Sequence, residues 1–242
     1  MDPANRTALV TGAGRRIGRV IALSLAEAGA NVAVHYNTSR IDAEETVQTI
    51  RAVGGTAESF QADLSDYGPA TGLADAVRSH FGSFDLLINS ASAFGTGRFE
   101  ETTKDEWDYY LAVNFTAPFL LSQCMFSGLP EDATGKVINL NDWRTARAKR
   151  FAYGASKAAL SGLTRSLAVA MAPRIQVNEL ALGAILPPVD VVERPPEEIE
   201  TTLGPAGRMG TLNEVARAVL ALVENDFITG ETLHIDGGRH IK

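Results

Sequence analysis

The segment Thr11-Gly12-Ala13-Gly14-Arg15-Arg16-Ile17-Gly18 constrains the fold more than any other part of the chain. It follows a short apolar run, Ala8-Leu9-Val10. It leads into a stretch in which Ile17, Ile21, Leu25 and Ala28 recur at helix spacing and Gly29 marks the stop. A strand that feeds a helix through glycines lets backbone approach a pyrophosphate, and the helix N-terminus offers free N–H groups and a positive dipole end. The alternation then continues. Val32, Val34 and Tyr36 read as a second strand, and a helix near 42–53 ends at Gly54-Gly55. A strand near 57–61 leads to Ala62-Asp63-Leu64. Leu86-Leu87-Ile88, residues 136–140, Ile175-Gln176-Val177-Asn178 and residues 232–235 complete seven strands, with helices over 105–126 and 152–172.

Near-continuous apolar strands alternating with helices predict a parallel sheet covered on both faces. The expected architecture is therefore α/β: a Rossmann-type doubly wound parallel sheet of seven strands with helices on both faces. One domain is expected over 1–242. The irregular zone at 184–208, rich in prolines (Pro187, Pro188, Pro195, Pro196, Pro205) and acidic residues, is expected to form a lobe over a pocket.

Composition narrows the function. The net charge of −7 is the wrong sign for a dedicated nucleic-acid binder. A single cysteine, Cys124, leaves no intrachain disulfide and no cysteine-based metal site. The apolar runs fall short of a membrane span, and Met-Asp-Pro-Ala-Asn-Arg has no signal-peptide core. The expectation is a soluble cytoplasmic protein with no nucleic-acid or membrane partner. His35, His80, His234 and His240 are scattered singly, so no metal is expected.

The end of the second strand bears on the cofactor. A site for NAD places a carboxylate there, against the ribose 2′-hydroxyl. This chain has His35-Tyr36-Asn37-Thr38-Ser39-Arg40, with no acid, and Arg15 and Arg16 lie in the turn nearby. Guanidinium and hydroxyl groups suit a 2′-phosphate, so NADP(H) is the expected cofactor.

Tyr153-Gly154-Ala155-Ser156-Lys157 places a phenol and an ammonium at i and i+4, on one helix face. A nearby ammonium favours the phenolate. With the turn at 11–18, Ala62-Asp63-Leu64, Asn89-Ser90-Ala91-Ser92, Asn114 and the closing Thr229-Gly230 and Asp236-Gly237-Gly238, the chain resembles a short-chain dehydrogenase/reductase along its length. The resemblance implies that Asp63 and Leu64 sit at the adenine and that Asn89, Ser90 and Ala91 line the cofactor. It implies further cofactor contacts from Gly12, Arg15, Arg16, Ile17 and Gly18, from the end of the second strand, and from Gly183 and Ile185. Lys157 would bind the nicotinamide ribose and lower the Tyr153 pKa, and Asn114 would support a proton-relay water.

The departures from the family pattern are themselves patterned. Arg16 stands at the middle glycine of the turn, Leu182-Gly183 at the usual Pro-Gly, and Asp142 at the usual catalytic serine. Together with His35-Tyr36 and Asn89-Ser90-Ala91-Ser92-Ala93-Phe94, they resemble the pteridine reductase branch. That resemblance implies that Phe94 stacks on a pterin, Ser92 hydrogen-bonds its ring and Arg16 faces its polar edge. Tyr153 with Asp142 would then protonate a C=N nitrogen. A carboxylate repels the alkoxide of a reduced carbonyl, so a dihydropterin or dihydrofolate ring is the expected substrate. The competing readings are a carbonyl reductase for a ketoacyl thioester or small ketone, and a nucleotide-binding regulatory protein without turnover.

The basic run Arg144, Arg147, Lys149, Arg150 reads as a solvated face or as an attractor for an anionic substrate tail. Trp107, Tyr109 and Tyr110 read as packing or a subunit face. The family resemblance implies a homotetramer with contacts through the helices at 105–126 and 152–172.

Overall fold

The computed structural model describes residues 1–186 and 203–241. Among these, seven strands form one sheet in the order β3-β2-β1-β4-β5-β6-β7, and every neighbouring pair is parallel. The strands are β1 (Thr7–Val10), β2 (Asn31–Tyr36), β3 (Ala57–Gln61), β4 (Leu86–Asn89), β5 (Gly135–Asp142), β6 (Ile175–Leu182) and β7 (Thr232–Ile235). Successive residues of a strand feed opposite faces. Ala8 and Val10 pack with Val32, Val34, Leu86 and Ile88 under α1 (Arg16–Glu27), α2 (Arg40–Ala52) and α7 (Leu212–Glu224). Leu9, Leu87, Val137 and Val177 pack on the other face, under α3 (Tyr67–Phe81), α5 (Ala117–Gly128) and α6 (Phe151–Ala170). Burial on both faces is why the central strands β1 and β4 are nearly all apolar.

The structure differs from the sequence expectation in three places. Helix α3 was not expected; Asp66 caps it by accepting the Gly68 N–H. Helix α7 was not expected either, although the Thr211/Glu214 capping box and its apolar stripe (Val215, Val219, Leu222) form a plain helix start. The single helix expected over 105–126 is three pieces: α4 (Lys104–Leu111), a π-helical turn at Ala112–Thr116, and α5. Most of the lobe expected at 184–208, with Pro187, Pro188, Pro195 and Pro196, lies outside the described residues. No helix among the described residues is long and apolar enough to cross a membrane.

The strand order reverses between β1 and β4. Ligands of open parallel sheets bind in the crevice beyond the carboxyl ends of the strands at such a switch point.

Candidate active site

A cavity of about 920 Å³ opens at that switch point. It runs from Thr38, Ser39 and Asp63 past the 11–18 turn to Asp142, Tyr153 and Lys157. The carboxyl ends of β1 through β6 all contribute to it. Of the expected site residues, Gly12, Arg15, Arg16, Ile17 and Gly18 line it, as do residues 35–39, Asp63, Leu64 and residues 90–92. Phe94, Asp142, Tyr153, Lys157, Gly183 and Ile185 complete the set.

The turn is built for close approach. Gly12 has φ +65°, and a Cβ there would come 3.0 Å from the Ala91 Cα. Thr11 Oγ1 accepts the Ser90 and Ala91 N–H groups, at 2.9 and 3.0 Å, and so ties the β1 turn to the β4 loop. Arg16 adopts φ +56°, a left-handed conformation that favours glycine. Helix α1 has no side-chain cap and no acidic residue in its first turn, so its N-terminal N–H groups and dipole face the cavity.

His35 lies against this turn, but both ring nitrogens are committed inside the fold. Nδ1 accepts the Gly12 N–H at 3.1 Å, and Nε2 donates to the Ala62 carbonyl at 3.1 Å. It therefore positions the turn rather than offering a nitrogen to the cofactor. Burial pushes its pKa from the ordinary 6.5 down to about 4, and the folded protein holds a neutral ring. The unfolded chain takes up this proton below pH 6.5 and the folded one only near 4. Stability is thus full above the unfolded value and is lost as pH falls across that window. At roughly 1.4 kcal/mol per unit, His35 accounts for a loss of about 3 kcal/mol. Urea unfolding at a series of pH values shows this loss as a difference between wild type and His35→Gln; parallel curves for the two proteins contradict it.

At the other end of the cavity, Tyr153 donates to Asp142 Oδ2 at 3.0 Å. Asp142 Oδ1 accepts from Arg147 Nη2 at 2.6 Å and from the Arg144 N–H at 2.9 Å. This corrects the expected proton chemistry. Burial, then the charge and hydrogen bond of Asp142, push the Tyr153 phenol up rather than down. Lys157, wholly buried, donates through Nζ to the Leu140 carbonyl at 2.8 Å. Burial pulls its pKa to about 8, against the opposing charges of Asp142 and Glu179.

Phe94 stands edge-to-face against Tyr153, with ring centroids 4.9 Å apart and planes at 86°. The guanidinium of Arg150 lies 4.0 Å over the Phe94 ring. The ring is 41% exposed and on the cavity wall, not sealed in the core.

Several expected residues are placed differently. Asn89 does not line the cavity: it is buried, and its Nδ2 donates to Asn139 Oδ1 at 2.8 Å. Asn114 is also buried behind the wall. Its Nδ2 donates to the Ala93 carbonyl and Ser156 Oγ, and its Oδ1 accepts from the Ala93 N–H. Ser92 lines the cavity, but its hydroxyl proton is directed at Asn114 Oδ1 and the Ala93 carbonyl, both at 3.1 Å. That leaves lone pairs, not a donor, for a ligand. Arg40 is turned along its own helix onto Glu44 at 2.6 Å, away from the cavity.

Other side chains also come to the cavity. Arg144, Arg147 and Arg150 of the basic run, read from sequence as either a solvated face or an attractor for an anionic tail, line it. Tyr109, expected as packing, is on the wall, whereas Trp107 stacks on Phe151. Arg239, just after the Asp236-Gly237-Gly238 turn, lies 4.3 Å over Trp143, and both line the cavity mouth. His234 and His240, isolated in sequence, stack at 3.9 Å. The Gly-Gly turn was the signal for Arg239; the basic run was the signal for Arg147, but not for its pairing with Asp142.

The family model described as enoyl-(acyl carrier protein) reductase matches residues 12–240. The 3-oxoacyl-[acyl-carrier-protein] reductase FabG of Staphylococcus aureus is 35% identical over 242 residues, covering 98% of each chain. The chain belongs to the short-chain dehydrogenase/reductase family. Among solved structures it resembles FolM Alternative dihydrofolate reductase 1 from Brucella canis complexed with NADP, with TM-score 0.92 and 37% identity, covering 100% of this chain and 97% of that one. The Brucella suis protein of the same name, also in complex with NADP, gives TM-score 0.90 and 37% identity, covering 98% of this chain and 96% of that one.

Proposed function

We propose that this short-chain reductase uses NADPH to reduce a dihydropterin or dihydrofolate-type ring to the tetrahydro form. The observation that carries the reading is the Tyr153–Asp142 hydrogen bond beside an exposed Phe94 ring. The enzyme is an NADP(H)-dependent oxidoreductase, and the cavity fits that cofactor. Gly12, with its left-handed φ, lets the turn close against Ala91 at the floor of the cavity, and the α1 N-terminus is uncapped. Thr38 and Ser39, just beyond β2, line the cavity together with Arg15, and residues 35–40 carry no carboxylate. Relatives with FolM names, solved with NADP, support the same reading.

When bound, the reduced nicotinamide supplies the hydride. The chain's own groups manage the proton. A reduction of C=N must deliver one proton to nitrogen, and the raised phenol of Tyr153 arrives protonated at neutral pH. The positive charges of Arg147 and Arg150, which already act on that phenol, oppose the negative charge left on its oxygen. Asp142 pairs with Arg147 through one oxygen, and its carboxylate accepts hydrogen bonds from ring N–H or amino groups. The same carboxylate would oppose the oxyanion of a carbonyl substrate. The resemblance to FabG keeps ketoacyl reduction as the second reading.

The test is NADPH oxidation at neutral pH with dihydrobiopterin, dihydrofolate and an acetoacetyl thioester side by side. Turnover of a dihydropteridine in preference to the thioester is the expected result. Preference for the thioester overturns the reading, and oxidation with none of the three favours a non-catalytic nucleotide binder.

A further inference from the structure

The cavity carries a charge opposite to that of the chain. The sequence has a net charge of −7, yet among the described residues six arginines and two carboxylates line the cavity. A cleft lined by one sign of charge concentrates ligands of the other sign. Arg15 and Arg16 belong to the 11–18 turn, at the cofactor end. The other four, Arg144, Arg147, Arg150 and Arg239, stand with Asp142 at the opposite end.

Two of these four are committed inside the fold. Arg147 pairs with Asp142 at 2.6 Å and donates through Nε to the Arg144 carbonyl at 2.8 Å. Arg150 lies over the Phe94 ring and donates through Nη1 to the Gly95 carbonyl at 2.9 Å. Arg144 and Arg239 keep donors to spare. Arg144 is exposed, and among the described residues its side chain donates through Nε alone, to the Ala146 carbonyl at 3.2 Å, with no ion pair. The Arg239 guanidinium has neither a hydrogen bond nor an ion pair among the described residues; it lies 4.3 Å over the Trp143 ring. Asp236, in the turn before it, spends its carboxylate on Gly238 and His240 instead. Burial, and after it the like charge of Arg147, pull the Arg239 pKa down from the ordinary arginine value, while Asp142 opposes this. Trp143 links the two unpaired cations: it precedes Arg144 in the chain and carries Arg239 on its ring. A guanidinium stacked on an aromatic face keeps its N–H edge open to an oxyanion, which it meets in a two-pronged fork.

We propose, resting on the reading that a dihydropteridine is reduced here, that Arg144 and Arg239 on their Trp143 platform form an anion subsite at the cavity mouth. It takes an oxyanion carried on the substituent of the ring, either a carboxylate of a glutamyl tail or a phosphate ester. Asp142 comes just before Trp143, so the subsite adjoins the carboxylate that the ring itself meets. A substrate with a charged tail is therefore favoured over one whose side chain is neutral. Steady-state KM at saturating NADPH tests this with dihydrofolate, a phosphate ester of a hydroxyalkyl dihydropterin, and dihydrobiopterin, whose side chain is uncharged. In the double variant Arg144→Gln/Arg239→Gln, KM for at least one charged substrate rises about tenfold, and in wild type the same KM rises with added salt. KM for dihydrobiopterin moves by no more than about twofold under either change, because exposed charges away from a neutral ligand count for little. A response of dihydrofolate alone assigns the subsite to a carboxylate, and a response of the ester alone assigns it to a phosphate.

An unmoved KM for both charged substrates overturns the proposal, and so does an equal rise for all three, which is the mark of a merely structural change. If the double variant does not fold, Arg239→Gln alone and the salt response of the wild type decide by the same criteria. If no dihydropteridine is turned over, the substrate reading falls by itself. The variant is then compared on acetoacetyl-coenzyme A, which carries phosphates, and on an uncharged acetoacetyl thioester. A rise in KM for the first alone keeps the anion subsite; equal values for wild type and variant remove it.

Discussion

Tyr153→Phe lowers kcat for dihydropterin reduction by about 10²–10⁴-fold, the range typical for loss of a positioned proton donor. NADPH affinity changes by no more than about threefold, because the phenyl ring keeps its packing and only the hydroxyl is lost. The phenol stands 3.0 Å from Asp142 and is pushed up by burial and by that carboxylate, so it is protonated at neutral pH and on the cavity wall. The fold tolerates the change. Asp142 loses one hydrogen bond but keeps Arg147 and the Arg144 N–H on its other oxygen, a cost of about 1 kcal/mol. Stopped-flow NADPH oxidation and a fluorescence titration separate the two quantities. A variant retaining more than about a tenth of wild-type turnover removes Tyr153 as proton donor.

Asp142→Ser is expected to exchange one specificity for another. The serine hydroxyl can donate to a developing oxyanion, which a carboxylate cannot. It cannot provide charge-assisted acceptance of ring N–H groups, so kcat/KM for a dihydropterin falls roughly 10- to 100-fold, the equivalent of about 1.5–3 kcal/mol. Reduction of a ketoacyl thioester or small ketone rises relative to it. The same substitution removes the charge that pushes Tyr153 up, so the phenol titrates at lower pH than in wild type. Arg147, deprived of its partner, is 28% exposed and can turn to solvent, which limits the damage to the fold. Parallel steady-state assays and a pH profile read both effects. Undiminished pterin turnover would show that the carboxylate plays no part.

How much of this was legible beforehand differs by kind of information. The strand–turn–helix at 7–27 and the Tyr153/Lys157 pair could be read because each depends only on residue type and local spacing. Helix α3 opens on Tyr67-Gly68-Pro69, which reads as a turn, although Asp66 supplies its cap and Pro69 is tolerated in a first turn. The π-helical turn at Ala112–Thr116 is a change in backbone hydrogen bonding, for which side-chain periodicity has no sign.

Site charges were the least legible. The direction of the Tyr153 shift depends on the approach of Asp142 across a loop, and on burial, not on the i,i+4 neighbour that the sequence offered. Arg147 and Arg150 read equally as solvated charges or as attractors for a substrate anion, and neither reading gives the contacts the loop makes, onto Asp142 and Phe94. Asn114 is at the expected place in the chain but spends its amide on Ala93 and Ser156.

The central claim is that Asp142 and Phe94 together receive a planar nitrogen heterocycle. A crystal structure of the NADP⁺ complex with a diaminopteridine examines it most directly. The account predicts the ring against the Phe94 face, with an Asp142 oxygen accepting from a ring or amino N–H. A pteridine found elsewhere, with both Asp142 oxygens still held by Arg147 and Tyr153, would contradict it.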